Sequence, residues 1–370
     1  MILTFHQPPV VPVAAQPDHE LMKAAIEAAY NPFPPNVAAQ ALLVTQWDLA
    51  MKMMADSQWF FTPEAAHGWL QSATRVGAAG VLTVAAEYID LPTHWKGVVS
   101  QTIAVTVCMT VASYLGFKYH GSLRAIEARC AYLGMAPICG VAWLGHFGPD
   151  YLAINPDTNG TVLLESKGVS SAAVGNKPKE FANHKVQSVN GWATALQAHV
   201  LAYTYLAPGA ALTARWYNNR PPEQLGGTPR ALLVIATLQL ITELKHCGHP
   251  DWADLMDAAF RAGGGPVEAG QLMYEYLVGQ DAFELQGGYL ISRRQRPFTM
   301  AMRIASLQLF FTIAGEHNWL VHDDAATNLA AGVREIHGQR EIVREELANL
   351  QGVHEVMGVS STGLAIVQIC

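Results

Sequence analysis

Charge is scarce in this chain of 370 residues: 14% are Asp, Glu, Lys or Arg, against 51% hydrophobic ones. That balance excludes a disordered polymer and provides for a large core, enough for two or three structural units. The net charge of −7 excludes broad, unaided coating of nucleic acid. Cysteine is also thin, with Cys108, Cys130, Cys139, Cys247 and Cys370 forming no C-x-x-C pair. A disulfide scaffold and a zinc knuckle are therefore excluded, and a reducing, cytoplasmic setting is expected. The first residues, "MILTFHQPPVVPVAAQP", lack the charged start and apolar core of a secretory signal. No G-x-x-x-x-G-K occurs, so the chain carries no readable ATPase of its own. Internal repeats and low-complexity tracts are missing as well.

One long uncharged run is present, Gly97 to Phe117. Its length is that of a membrane span, but Ser100, Gln101, Thr102, Thr106, Thr110 and Ser113 lower its mean hydropathy. A buried helix is expected, and no membrane span. Gly191 to Ala214 is uncharged too, and Gln197, His199 and Pro208 interrupt it.

Three regions follow from the patterning. Residues 1–120 read as a helical N-terminal domain, with helices in "HELMKAAIEAAY", "PNVAAQALLVTQWDLAMKMMAD" and, behind Thr62-Pro63, "TPEAAHGWLQSATRVGAAGVLTVAAEYI". Residues 121–250 read as an α/β unit: the helix "SLRAIEARCAYLG" precedes β-like runs in "GVAWLG", "DYLAIN", "TVLLESKG", "LTARWYN" and "ALLVIATLQLI". In residues 251–370 helices return in "DWADLMDAAFRAG", "MAMRIASLQLFFTIAG" and one long charged helix from about Ala325 to Asn349. A β-hairpin turning at Ser360 to Gly363 closes the chain.

The stretch "GPDYLAINPDTNGTVLLESKG" concentrates the polar chemistry. Asn155 to Gly160 gathers Asn, Pro, Asp and Gly between two apolar runs, the composition of a hairpin tip. A hairpin folded there sets Asp150, at the start of one strand, opposite Glu165, at the end of the next. Alternation then brings Lys167 onto the Glu165 face and turns Ser166 away. Two adjoining carboxylates repel unless a cation lies between them, and oxygen ligands with retained waters are what Mg²⁺ prefers. A neighbouring lysine can orient or deprotonate the attacking water and stabilise charge on a phosphate. As structural residues, the same three would be a strand start and a solvated ion pair worth at most about 1 kcal/mol.

Pro149-Asp150, the hairpin and Glu165-Ser166-Lys167 resemble the P-D…(D/E)-x-K nuclease superfamily. Asp18 and Asp251, after Pro17 and Pro250, read as helix caps, Asp157 belongs to the tip, and Glu243-Leu244-Lys245 reads as the end of an element. The resemblance covers about 120 residues and implies a restriction-endonuclease-like α/β core, a mixed sheet flanked by helices. In that family the order is helix, three antiparallel strands, helix, strand. It further implies Asp150 and Glu165 as metal ligands, with Glu127 of "SLRAIEARC" as a further acidic ligand, Mg²⁺ as the cofactor with Mn²⁺ able to replace it, and Lys167 as catalytic. A supporting place falls to Gln187, which shares a helix face with Glu180 and His184; Gly191 stands where the exonuclease-like branch has Tyr. Residues 165–230 carry a local basic excess, which makes Lys177, Lys179 and Lys185 candidate nucleic-acid contacts, with Arg293, Arg294 and Arg296 a second cluster. The "HCGH" of His246, Cys247 and His249 lacks a second ligand pair for zinc. The expected activity is Mg²⁺-dependent endonucleolytic hydrolysis, with DNA the expected substrate and a partner subunit or a second copy completing a restriction or phage-defence assembly. The competing reading is a non-catalytic interaction protein with a degenerate nuclease-like core.

Overall fold

A computed structural model describes residues 1–7, 21, 24, 38–55, 62–138, 150–169, 198–218, 227–262, 283–292 and 298–369. In chain order the elements are β1 (Ile2–His6), β2 (Ala39–Leu43), α1 (Gln46–Met54), α2 (Pro63–Ala73), β3 (Thr74–Val76), β4 (Leu82–Val84), α3 (Thr93–Tyr114), β5 (Tyr119–Ser122) and α4 (Leu123–Tyr132). They continue with β6 (Tyr151–Ile154), β7 (Thr161–Val169), β8 (Ala198–Tyr205), β9 (Thr213–Asn218), α5 (Pro229–His246), α6 (Pro250–Ala262), β10 (Phe283–Gln286), β11 (Tyr289–Ser292) and β12 (Phe298–Arg303). The last are α7 (Ile304–Gly315), α8 (Asp323–Gly338), α9 (Arg340–Ala348), β13 (Val353–Val359) and β14 (Leu364–Ile369).

The protein is α/β. A seven-stranded mixed sheet runs β2-β1-β9-β8-β7-β6-β5, and a five-stranded sheet runs β10-β11-β12-β14-β13. Strands β5, β6 and β7 form an antiparallel meander, and β8 then pairs parallel to β7. One continuous core joins both ends of the chain, from Leu3 and Phe5 to Leu364 and Ile366.

Local chemistry explains the helix starts. Thr45 and Asp48 form a reciprocal capping box on α1, and Thr62 caps α2 with Pro63 in its first turn. The expected helix over "PNVAAQALLVTQWDLAMKMMAD" starts only at that cap, because Ala39–Leu43 pairs with β1 as a strand. The region before Gly121 thus supplies β1, β2 and the start of β5 to the large sheet as well as helices. Most of "HELMKAAIEAAY" and all of "GVAWLG" lie outside the described residues.

The run "ALLVIATLQLI" is a helix, not the expected strand. Thr228 caps it, Pro229 opens it, and α5 stays buried from Ala231 to Ile241 on nearly all sides. A helix covered all round shows no amphipathic period, so its β-branched residues mimic a strand. The strand parallel to β7 is Ala198–Tyr205, whereas the sequence reads its first residues, to Val200, as the end of the helix that carries Gln187. "MAMR" likewise belongs to β12, ahead of α7, and the single helix expected from Ala325 to Asn349 is two, α8 and α9. The closing hairpin turns where expected, with Gly363 at φ +80°.

Helix α3 holds the uncharged run. It is the one described helix long and apolar enough to cross a membrane, and 72% of its apolar window is buried inside the protein. It packs on β7 and β8, and Thr102, Thr106 and Thr110 return their hydroxyls to carbonyls one turn back. Gly168 permits the closest approach: a Cβ there would lie 2.3 Å from the Ser100 carbonyl oxygen. Gly168→Ala is therefore expected to push α3 off β7 and lower stability by about 1–3 kcal/mol. Urea unfolding measures this, and an unchanged midpoint would show that the contact is slack.

Candidate functional site

The β6–β7 turn is built by side chains. Asn155 Oδ1 accepts the Asp157 and Thr158 N–H groups at 2.9 and 3.4 Å, and the Asn155 N–H donates to the Gly160 carbonyl at 2.8 Å. Asn159 takes the left-handed φ of 56°. Arg334 of α8 clamps the tip, donating to the Pro156 carbonyl and, at 2.8 Å, to Asn159 Oδ1.

Pairing runs outward from that fixed turn. Ile154 faces Thr161 and Tyr151 faces Leu164, so Asp150 stands one position on, opposite Glu165. The Asp150 carbonyl accepts the Leu123 N–H at 3.1 Å, which ties the same point to the start of α4. The register expected from the sequence is the one observed.

Glu165 is 1% exposed, and its Oε2 is sealed with no hydrogen-bond partner among the described residues. Burial, then the charge of Asp150, raises its pKa to about 7, while Lys167 and the Asp150 backbone N–H pull the other way. Lys167 donates to Glu165 Oε1 in an ion pair and keeps about a quarter of its side chain in solvent. Burial opposes its charge, yet Glu165 and Asp150 outweigh burial and raise its pKa. Beneath them on α3, burial and the same two carboxylates push the Cys108 thiol up.

A divalent cation fits this pair. A buried carboxylate oxygen lacks a partner beside a second carboxylate, and hard cations accept one or two carboxylates with water completing the shell. Among the described residues no three His, Cys, Asp or Glu side chains gather into a metal-holding group. Glu127 therefore does not complete the set. It is buried on α4, a helix that follows the first strand of the meander instead of preceding it. α4 does cover the right face: Gly121, Leu152 and Leu163 form one row, Asp150 and Glu165 stand two residues along, and a Cβ on Gly121 would lie 3.3 Å from Ile126.

A lateral row missed in the sequence extends from Lys167. It pairs with Tyr203, Tyr203 with Arg215, and Arg215 with His6, so the four share one face across four strands. Arg215 also stacks over Tyr205, 5.2 Å from its centroid. Pairings between residues this far apart in the chain leave no periodic signal. Gln187, Glu180, His184, Lys177, Lys179, Lys185, Arg293, Arg294 and Arg296 lie outside the described residues. His246 is buried, its pKa pushed down to about 4 by burial, and it joins no metal-holding group.

Comparison of the chain with protein-family models, curated proteins and solved structures returns no match.

The raised Glu165 pKa has a thermodynamic consequence. Between its ordinary 4.5 and about 7 the folded protein binds more protons here than the unfolded chain. Metal-free stability from this group is thus full below that window and is lost as pH rises through it. In urea unfolding at pH 5, 6, 7 and 8, Glu165→Gln is expected to remove that decline and to gain on the wild type as pH rises. Parallel curves for the two proteins would contradict it.

Proposed function

We propose that this protein is a divalent-metal-dependent phosphodiesterase that cleaves nucleic acid, DNA being the expected substrate. One observation carries the reading: a clamped hairpin sets Asp150 opposite Glu165, with Lys167 bonded to Glu165 at the same strand end. The order of elements supports it. Helix α3, the antiparallel β5–β6–β7 meander and the parallel β8 are compatible with the order expected of the P-D…(D/E)-x-K nucleases, with α4 an added helix between the first two strands and the place of the second expected helix outside the described residues.

Asp150 and Glu165 would hold the cation, with Mg²⁺ preferred. The bound cation supplies charge neutralisation for the scissile phosphate and lowers the pKa of water. Glu165, partly protonated when metal-free, is held ionised by a neighbouring cation, so proton release accompanies loading. Lys167 stays charged at neutral pH because its pKa is raised. Its role is accordingly electrostatic, stabilising charge that develops on phosphate oxygens, and it is not the general base. Buried Leu163 and Leu164 and the close-packed α3 keep these groups on a rigid strand. The lack of a motor motif extends the proposal to a nuclease subunit working with a partner, in a restriction or phage-defence assembly.

The test is cleavage of plasmid, single-stranded DNA and RNA in Mg²⁺ or EDTA. Wild type is expected to cut at least one of them in Mg²⁺ and none in EDTA. Lys167→Ala is expected to lose on the order of 10²–10³ in rate, the scale of one lost electrostatic contact. Asp150→Asn loses at least as much while retaining the wild-type circular dichroism. Equal cutting by all three proteins would assign the activity elsewhere.

A further inference from the structure

At the end of the β6–β7 hairpin away from Asp150 and Glu165 lies a cavity of about 270 Å³. Its place follows from register: Tyr119 pairs with Ile154 beside the tip, whereas Ser122 pairs with Tyr151 beside Asp150. Lys118, one residue before Tyr119, lines the cavity with Lys52 of α1 and Arg340 and Arg344 of α9. Two acids, Asp48 and Glu341, share the wall.

Both acids are already engaged. Asp48 Oδ2 accepts the Thr45 backbone N–H at 2.7 Å and its hydroxyl at 2.8 Å, completing the α1 cap. Glu341 is largely exposed and stands 3.7 Å from Arg344, which also donates to the Val356 carbonyl at 3.2 Å. Among the described residues no carboxylate forms an ion pair with Lys52, Lys118 or Arg340. Arg340 Nε is closed off from solvent and has no hydrogen-bond partner.

The three cations repel one another. Burial and then Arg340 push Lys52 down to about 7, with Lys118 adding to the effect and Glu243 and Asp48 opposing it in part. Burial and Arg340 lower Lys118 too against the pull of Asp157, and burial lowers Arg340 even though Glu341 and Asp48 favour its charge. His337 is held neutral by burial and these same charges, so it brings no compensation. An unpaired, half-buried cation cluster costs folding free energy that a bound anion would recover.

We propose that this cavity binds the phosphate group of a small phosphorylated molecule, with Lys52, Lys118 and Arg340 surrounding the phosphate. A guanidinium beside ammonium groups is the donor set that recognises phosphate oxygens. The volume falls just below the range of drug-sized small-molecule pockets, roughly 300–1,000 Å³, which suits one phosphoryl group with a small organic part. The terminal phosphate of a nucleic-acid strand shares this chemistry, and the experiment separates the two. The site stands whether or not Asp150 and Glu165 perform cleavage.

The test is calorimetric titration and thermal unfolding with sodium phosphate and glycerol 3-phosphate, against sodium chloride at equal ionic strength. Wild type is expected to bind both and to melt higher in them than in chloride. Arg340→Gln and Lys118→Gln are expected to weaken binding about tenfold or more, the scale of a lost charge-assisted bond. Glu165→Gln binds as wild type does. If Arg340→Gln does not fold, Lys118→Gln carries the same test, and without phosphate it melts no lower than wild type because it removes repulsion. No phosphate-specific binding by wild type, or undiminished binding by the variants, would overturn the proposal. Displacement of phosphate by a 5′-phosphorylated oligonucleotide but not by glycerol 3-phosphate would overturn the small-molecule assignment.

Discussion

The register of one hairpin governs the chemistry of this protein. Asn155 and Asn159 build the turn, Arg334 holds it, and every pair from Ile154–Thr161 outward follows. A slip of one residue would turn Glu165 and Lys167 to the opposite face and bring Ser166 opposite Asp150 in their place. The apolar residues between turn and site make such a slip costly, since Leu152, Leu163 and Leu164 are fully buried. The turn, about four residue pairs away, thereby decides which side chains meet.

What meets there is electrostatically unfavourable in isolation. Glu165 gives up solvent, faces Asp150, and recovers only part of the loss from Lys167. An inert strand-end ion pair would leave the carboxylate in water, where burial exacts nothing. Uncompensated burial of this kind concentrates where a ligand supplies the missing charge. The Lys52, Lys118 and Arg340 cluster repeats the pattern with opposite sign at the other end of the hairpin. Glu243, equally buried and also raised in pKa by burial, differs in that Gln239, Ser360 and Thr362 donate to both its oxygens, which gives it a structural place, anchoring the closing hairpin to α5.

The parts legible in the sequence are those set by local chemistry. Turn composition gave the β6–β7 and β13–β14 hairpins, Thr62-Pro63 gave the start of α2, and polar residues in Gly97 to Phe117 pointed to a buried helix. Errors arose where tertiary burial decides the outcome. α5 is apolar on every side and lost its helical period, while Ala198–Tyr205 is a strand because β7 and β9 flank it. Pairing of β1 with β9, and with it the Lys167–Tyr203–Arg215–His6 row, joins residues some two hundred positions apart and has no local trace. The basic cavity was invisible for the same reason, its four cations coming from three separated segments.

The central claim is that Asp150 and Glu165 share one divalent cation. Titration with Mn²⁺, followed by the electron paramagnetic resonance signal of the free ion, measures this without reference to activity or substrate. The account predicts that wild type removes one equivalent of Mn²⁺ from solution and that Mg²⁺ competes for it. Asp150→Asn and Glu165→Gln should each weaken that binding about tenfold or more, as the loss of a charged ligand requires. Absence of a site in the wild type, or undiminished binding by both variants, would contradict it.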